Sequence, residues 1–298
     1  MCTLILLNYN DVYTVEKYLH QIKEYKCFDH VIIVDNCSTD GSFKRLLSYS
    51  NDRISVIESE VNKGYGYGNN FGIKYATEMF KSEYILISNP DVVYDEETIL
   101  KMETLLRNNK SAGVVGTMMK MKDGSYSNLS AWRIPTFWQA VFINASHPNK
   151  IAMIVGKRTY DDILKSTEIV REVDCIPGSL LMVNRHCMEE CGMYDEGIFL
   201  YGEETVLGIR MKRCGYKTLL ITDDFFIHYH SVSINKSIKK EADRMRVMWT
   251  SRKYILEKYY DMSLVKHLLI NIYSEINIRS IAKKVIKKNI RKGQYYED

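Results

Sequence analysis

A few short segments carry side chains whose types and spacing could hold a cation or move a proton. Asn89-Pro90-Asp91 sets one carboxylate beside a short amide. At a strand end that pair suits a divalent cation, because Mg2+ takes one or two protein carboxylates and completes its shell with phosphates and waters. The same tripeptide is also ordinary turn chemistry. Glu203-Glu204 offers a general base at a loop–helix junction, or simply two charges that favour a helix N-terminus. Adjacent residues point apart, so at most one of them faces a reaction centre. His228 and His230 follow the apolar Phe225–Ile227. A lone histidine is more often structural than catalytic, but two flanking a strand end, in a chain with a metal candidate, raise the odds of a functional role.

Two further runs suit binding. Val34–Gly41 ends a strand with Asp35 and Asn36. An acid at that position can accept hydrogen bonds from a base or ribose, while Ser38, Thr39 or Asp40 would equally serve as a helix cap. Asn62–Gly72 contains Lys63, Gly64, Gly66, Gly68 and Asn69. Alternate glycines let backbone approach a ligand and turn sharply. The amides of a following helix favour anionic groups. A flexible loop is the plain alternative.

These runs need strands to present them. Apolar segments at Thr3–Leu7, Val31–Val34, Ile54–Glu58 and Tyr84–Ile87 read as buried strands. Val12–Lys26, Ser42–Ser50, Asn69–Lys81 and Glu96–Asn108 read as the helices between them, with Val15, Leu19 and Ile22 at helical spacing. Such alternation predicts a parallel, doubly wound α/β sheet, in which ligands sit at the carboxyl ends of the strands. The stretch from Gly116 to Asp174, with Trp132, Trp138 and His147, is less regular. Glu172–Val183 resumes a strand pattern around Pro177-Gly178-Ser179, and Thr205–Cys214 reads as a helix that Gly215 stops.

The bulk composition is that of a globular chain. Of 298 residues, 46% are hydrophobic and 26% charged, which suits one large α/β domain or a domain with a helical extension. Seven cysteines without a CxxC pair argue against a disulfide framework or a zinc site and suit a reducing cytoplasm. The apolar N-terminus lacks a basic region and reads as a first strand rather than a signal peptide. No apolar run approaches the roughly 18 residues that span a bilayer. The net charge of +4 is too small to imply a nucleic-acid partner.

Taken in order from Leu4 to about Ser233, the motifs resemble family 2 of the inverting glycosyltransferases, which have the GT-A fold. Asn8-Tyr9-Asn10, Val34–Ser42, Asn62–Gly72, Asn89-Pro90-Asp91, Pro177-Gly178-Ser179, Glu203-Glu204 with Arg210 and Gly215-Tyr216, and His228 with Ser233 carry the resemblance. The ordered series is what makes it specific. The resemblance implies a mostly parallel central sheet flanked by helices over residues 1–233; after Ser233 the chain turns strongly basic and reads as a helical extension over 234–298. It implies a nucleotide-sugar donor held by Asn8, Asn10, Asp35, Asn36, Lys63, Gly64, Asn69, Asn89, Gly178, Ser179 and Arg210, with Asp35 at the base or ribose. It implies Mg2+ or Mn2+ on Asp91, with Asn89 in the place of a first acid and His228 completing the site or meeting the diphosphate. Glu204 falls where the family has its base, usually Asp, and Glu203 is the neighbouring candidate. Val206 departs from the pattern at a position where the family often has an acid. The Asn-Pro-Asp form and Arg252-Lys253 resemble bacterial rhamnosyltransferases of surface-polysaccharide synthesis, which implies a dTDP-rhamnose or UDP-hexose donor and a saccharide or lipid-linked acceptor.

Arg279–Lys292 reads RSIAKKVIKKNIRK, with seven cations and no acid. A basic amphipathic helix of this kind suits an anionic membrane surface at the inner face of the cell membrane; a solvated helix or a homo-oligomer contact is the alternative. No aromatic residue interrupts the tail before Tyr295, which serves stacking on single-stranded nucleic acid poorly. The glycine run follows the third strand rather than the first, unlike a dinucleotide fingerprint. A non-catalytic nucleotide-sugar binder or a membrane-surface interaction protein is the competing class. Such a binder needs no base at Glu204.

Overall fold

The computed structural model describes residues 2–142, 159–160, 162–165, 167–229 and 241–293. They fall into two compact units. One is drawn from Met1–Ile134, Thr159–Phe199 and Glu203–Ser237; the other from Pro135–Arg158, Leu200–Gly202 and Ile238–Asp298.

The larger unit begins with alternating strands and helices: β1 (Cys2–Asn8), α1 (Val12–Gln21), β2 (His30–Asp35), α2 (Ser42–Leu46), β3 (Ile54–Glu58), α3 (Tyr65–Phe80) and β4 (Tyr84–Ser88). The two-residue β5 (Val92–Val93), α4 (Glu96–Asn108) and β6 (Ala112–Met121) follow. The strands form one sheet in the order β3-β2-β1-β4-β8-β6-β9-β5, with β7 on β9. In it β7 is Val170–Val173, β8 Leu180–Asn184 and β9 Lys217–His228. Pairing is parallel across β3, β2, β1 and β4 and again between β6 and β9. β8 runs antiparallel to β4 and β6, and β5 and β7 run antiparallel to β9.

Central strands buried on both faces lose the period-2 alternation of a half-buried strand and read as continuous apolar runs. β1 does so. Leu4 and Leu6 join the core under α1 and α4, while Ile5 joins the opposite core under α3 with Ile73 and Ala76. β6 was expected to be irregular beyond Gly116, yet it is a ten-residue strand with its first eight residues buried. Its composition, AGVVGTMMKM, hides it because both faces are covered and no alternation survives.

The glycine run is a correction to the expected loop. Helix α3 starts at Tyr65, not Asn69, so Gly66, Gly68 and Gly72 lie inside it. A Cβ on Gly68 would stand 2.3 Å from Leu7, and one on Gly72 would stand 2.9 Å from both Ile5 and Val34. These glycines seat the helix tightly on β1 and β2. Only Gly64, with φ +101°, makes the turn, and a Cβ there would lie 1.9 Å from the Phe199 carbonyl oxygen. Helix α7 (Glu203–Arg213), preceded by α6 (Arg185–Glu190), likewise starts two residues before its expected Thr205. Its first turn holds the two acids that favour a helix N-terminus.

The smaller unit is helical, with α5 (Phe137–Phe142), α8 (Glu241–Tyr259) and α9 (Leu264–Gly293). Phe137, Ala140 and Val141 pack with Leu256 and Ile270 as its core. Trp249 sits edge-on to Tyr273 at 5.8 Å, and the Tyr260 hydroxyl donates to the Pro135 carbonyl at 2.7 Å. Among the described residues, no helix is long and apolar enough to cross a membrane.

Candidate active site

In the larger unit, β1 lies between strands that follow it on either side, β2 and β4. That reversal of strand order opens a crevice at the carboxyl ends of an open α/β sheet. Asn8 ends β1, Asp35 ends β2, and Ser88 leads from β4 into Asn89. The antiparallel partner β8 pairs Leu180 with Ser88, so the turn before β8 arrives beside the end of β4. The Asn89 amide donates to the Ser179 carbonyl at 2.8 Å. Pairing of Val92 with His228 does the same for Asp91, whose carbonyl accepts the Tyr229 amide at 3.0 Å. Sheet register thus gathers side chains that lie far apart in sequence.

The loops after β1 and β2 are cross-braced. Asp35 is fully buried; one carboxylate oxygen accepts from Asn8 Nδ2 and the other from the Ser38 amide, both at 2.7 Å. Asn10 accepts the Thr39 amide on its side chain at 2.8 Å and donates its own amide to Ser38 Oγ at 2.9 Å. Asn36 Nδ2 donates to Asn62 Oδ1 at 3.0 Å and to the Gly64 carbonyl at 3.2 Å, and its Oδ1 accepts from Ser59 at 3.1 Å. Lys63 is exposed, with Nζ 5.2 Å from the Tyr67 ring centroid.

Glu203 and Glu204 sit differently, as adjacent helical residues must. Glu203 is buried and Glu204 partly exposed. Glu204 Oε1 accepts the Gly178 amide at 3.3 Å, while the Tyr65 hydroxyl donates to the Gly178 carbonyl at 2.6 Å. Residue 178 is therefore held at both ends, and a Cβ there would stand 3.1 Å from Glu204 Oε1. Burial, reinforced by charges that include Glu204, pushes the Tyr65 and Tyr194 phenols well above their ordinary values. Tyr65 thus stays protonated and able to donate.

Asp91 is buried and faces His228, with Oδ1 3.3 Å from Nε2. Among the described residues, Asn8 Oδ1, Asn69 Oδ1 and Ser179 Oγ are buried and make no hydrogen bond, and Asp91 Oδ1, also buried without one, faces the His228 ring. Leaving such an atom unsatisfied costs about 1–3 kcal/mol, so each calls for a ligand or water. No group of three or more His, Cys, Asp or Glu residues suited to a metal occurs among the described residues. Asp91 and His228 alone match a cation that arrives with phosphates supplying the rest of its shell.

Arg210 is committed elsewhere. Its guanidinium donates to the Gly192 and Met193 carbonyls at 2.6 and 2.7 Å and lies 3.4 Å from Asp195, so it braces the turn after α6. His230 and Ser233 lie outside the described residues. The sequence assigns no role to Tyr194 or Ser59, and none individually to Tyr65, Asn62 or Asn70 within the Asn62–Gly72 run. Asn70 donates to the Tyr194 carbonyl and accepts its amide, both at 3.0 Å. Among these only Asn70 carried a signal, as a polar residue at a position that α3 buries.

This sheet, with its loops gathered at the strand ends, is a GT-A fold. The chain belongs to glycosyl transferase family 2, whose model matches residues 3–164, more than half its length. It is 24% identical over 211 residues to the low-salt glycan biosynthesis hexosyltransferase Agl10 of Haloferax volcanii, covering 71% of this chain and 61% of that protein. It is 25% identical over 214 residues to the N-acetylglucosaminyl-diphospho-decaprenol L-rhamnosyltransferase of Mycobacterium tuberculosis, covering 69% and 68%. The solved structure of GalNAc-T7 with UDP, GalNAc and Mn2+ matches with a TM-score of 0.61 at 14% identity, over 89% of this chain and 53% of that one. That last likeness bears on the fold alone.

Proposed function

We propose that the chain transfers a sugar from a nucleotide-diphosphate donor to a hydroxyl of a saccharide or lipid-linked acceptor, with inversion, in bacterial surface-polysaccharide synthesis. The observation that carries this reading is the set of buried polar atoms without a hydrogen bond on Asn8 at the end of β1, on Asp91 after β4 and on Ser179 before β8, together with Glu204 of α7 held on Gly178. A hexosyltransferase and an L-rhamnosyltransferase among the relatives support a hexose or rhamnose donor, and the diphospho-decaprenol named for the second supports a lipid-linked acceptor.

In this reading Glu204 is the base. Its carboxylate takes the proton of the acceptor hydroxyl as that oxygen bonds to the anomeric carbon. The bond to the diphosphate breaks on the opposite face, and the product is inverted. Glu204 then releases its proton to solvent. Asp91 and His228 would hold Mg2+ or Mn2+, which supplies positive charge to the leaving diphosphate. Asn8 Oδ1 and Ser179 Oγ orient the donor through their open hydrogen-bonding capacity. Asp35, with both oxygens already engaged, fixes the β1 and β2 loops and so acts on the base or ribose through Asn8 and Ser38.

The seven cations of Arg279–Lys292 would draw the chain to an anionic leaflet, at about 1 kcal/mol each near the surface. This favours action at the inner face of the membrane.

Calorimetry tests the donor site without relying on turnover. The wild-type chain is expected to bind dTDP or UDP more tightly with Mg2+ or Mn2+ present than without. Asp91→Ala should lose that cation-dependent gain. Identical binding by the two proteins in the presence of cation would remove Asp91 from the site.

A further inference from the structure

Helix α9 carries an apolar face that none of the described residues of its own unit covers. Leu264, Val265, Leu268, Leu269, Ile272 and Ile276 are between 43% (Leu269) and 89% (Leu264) exposed. At ~100° per residue these six fall within an arc of roughly 140° along the helix. The packed side of the helix lies outside that arc, where Ile270 and Asn277 are buried and Tyr273 joins the core. Contiguous exposed apolar surface of this extent marks an interaction site rather than chance exposure.

We propose that this face is an insertion surface for an anionic lipid bilayer, with α9 lying in the plane of the interface. Charge selects the occupant. From Leu264 to Lys292 the sequence holds eight Lys or Arg residues and one acid, Glu275. That acid falls within the arc and is paired with Arg279 at 3.3 Å. A second copy of this helix laid against the first brings the same eight cations and only Glu275 to set against them. An anionic leaflet supplies the missing charge, and its acyl chains take the apolar face. A helix with a wide apolar face beside dense positive charge binds as an interfacial helix, by buried apolar area together with attraction to anionic lipid. The inference extends the proposed role of the basic tail, but it stands on a different part of the helix and a different force.

The two forces separate in one experiment on the full chain. Binding is measured by co-sedimentation with vesicles of phosphatidylcholine and phosphatidylglycerol, at low salt and at about 1 M salt, where charges are screened beyond ~3 Å. The stripe variant carries Leu264→Gln, Leu268→Gln, Ile272→Gln and Ile276→Gln. Glutamine is a good helix former, and the sites are exposed, so helicity by circular dichroism should be kept. The tail variant carries Lys283→Gln, Lys284→Gln, Lys287→Gln and Lys288→Gln. The wild type is expected to keep measurable binding at high salt. The stripe variant should lose that residue and bind at least about tenfold more weakly at low salt. The tail variant should weaken mainly at low salt. A stripe variant that binds like the wild type in both salts overturns the inference, even if the tail variant fails. So does a wild-type oligomer, seen by sedimentation velocity, that the stripe variant dissolves with vesicle binding unchanged. A tail variant that binds normally beside a failed stripe variant removes only the tail's role.

Discussion

Gly178 is gripped from its two sides, by the Tyr65 hydroxyl on its carbonyl and by Glu204 on its amide. A carboxylate held this way has a defined direction before any acceptor arrives, which is how a base is kept within reach of the proton it must take. With Glu204 as the proposed base, Tyr65 is its positioning residue. Tyr65→Phe keeps the ring against Tyr194, at 5.9 Å between centroids, and removes only the hydroxyl. A neutral hydrogen bond contributes about 0.5–1.5 kcal/mol. Turnover should fall about 2–10-fold while calorimetric affinity for the nucleotide stays within about twofold. A loss of affinity as large as the loss of turnover would mean that Tyr65 serves the donor instead.

At the scale of elements, α3 does most to set the site, because its first turn carries Tyr65 and its glycines fix how closely it lies on β1 and β2. Gly64 combines a left-handed φ with close approach to the Phe199 backbone. Gly64→Ala should cost about 2–4 kcal/mol in denaturant unfolding, from strain and overpacking together. Gly72→Ala, wedged between branched side chains of two buried strands, should cost about 1–3 kcal/mol. Unchanged midpoints would show that the helix can lift away without penalty. The strands β1 to β4 and the acids at their ends were legible in the sequence because each strand is short, apolar and followed by polar punctuation. The role of the glycine run was not, since helix packing and a ligand-binding loop use glycine alike. The approach of Gly178 to Tyr65 was invisible as well. It spans 113 positions and depends on β8 entering antiparallel beside β4, which no local pattern encodes.

At the scale of the whole molecule, the chain joins an α/β unit that holds the candidate site to a helical unit with its own small core. Two neighbouring isoleucines on α9 distinguish the packed side of that helix from its open side. Ile270 is buried and Ile272 half exposed. Ile270→Ala should destabilise the helical unit by about 2–5 kcal/mol, and Ile272→Ala by no more than about 0.5 kcal/mol. Equal effects in thermal unfolding would contradict the assigned faces. The larger unit carries the central claim, that the crevice performs base-assisted sugar transfer with Glu204 as the base. The most direct test is turnover of purified protein with a panel of sugar nucleotides, read by mass spectrometry, for wild type, Glu204→Gln and Glu203→Gln. Wild type should transfer sugar from at least one donor. Glu204→Gln should lose about 10²–10⁴-fold in rate with nucleotide affinity nearly unchanged, and Glu203→Gln should lose far less. Full activity in Glu204→Gln, with or without a dead Glu203→Gln, would contradict the account.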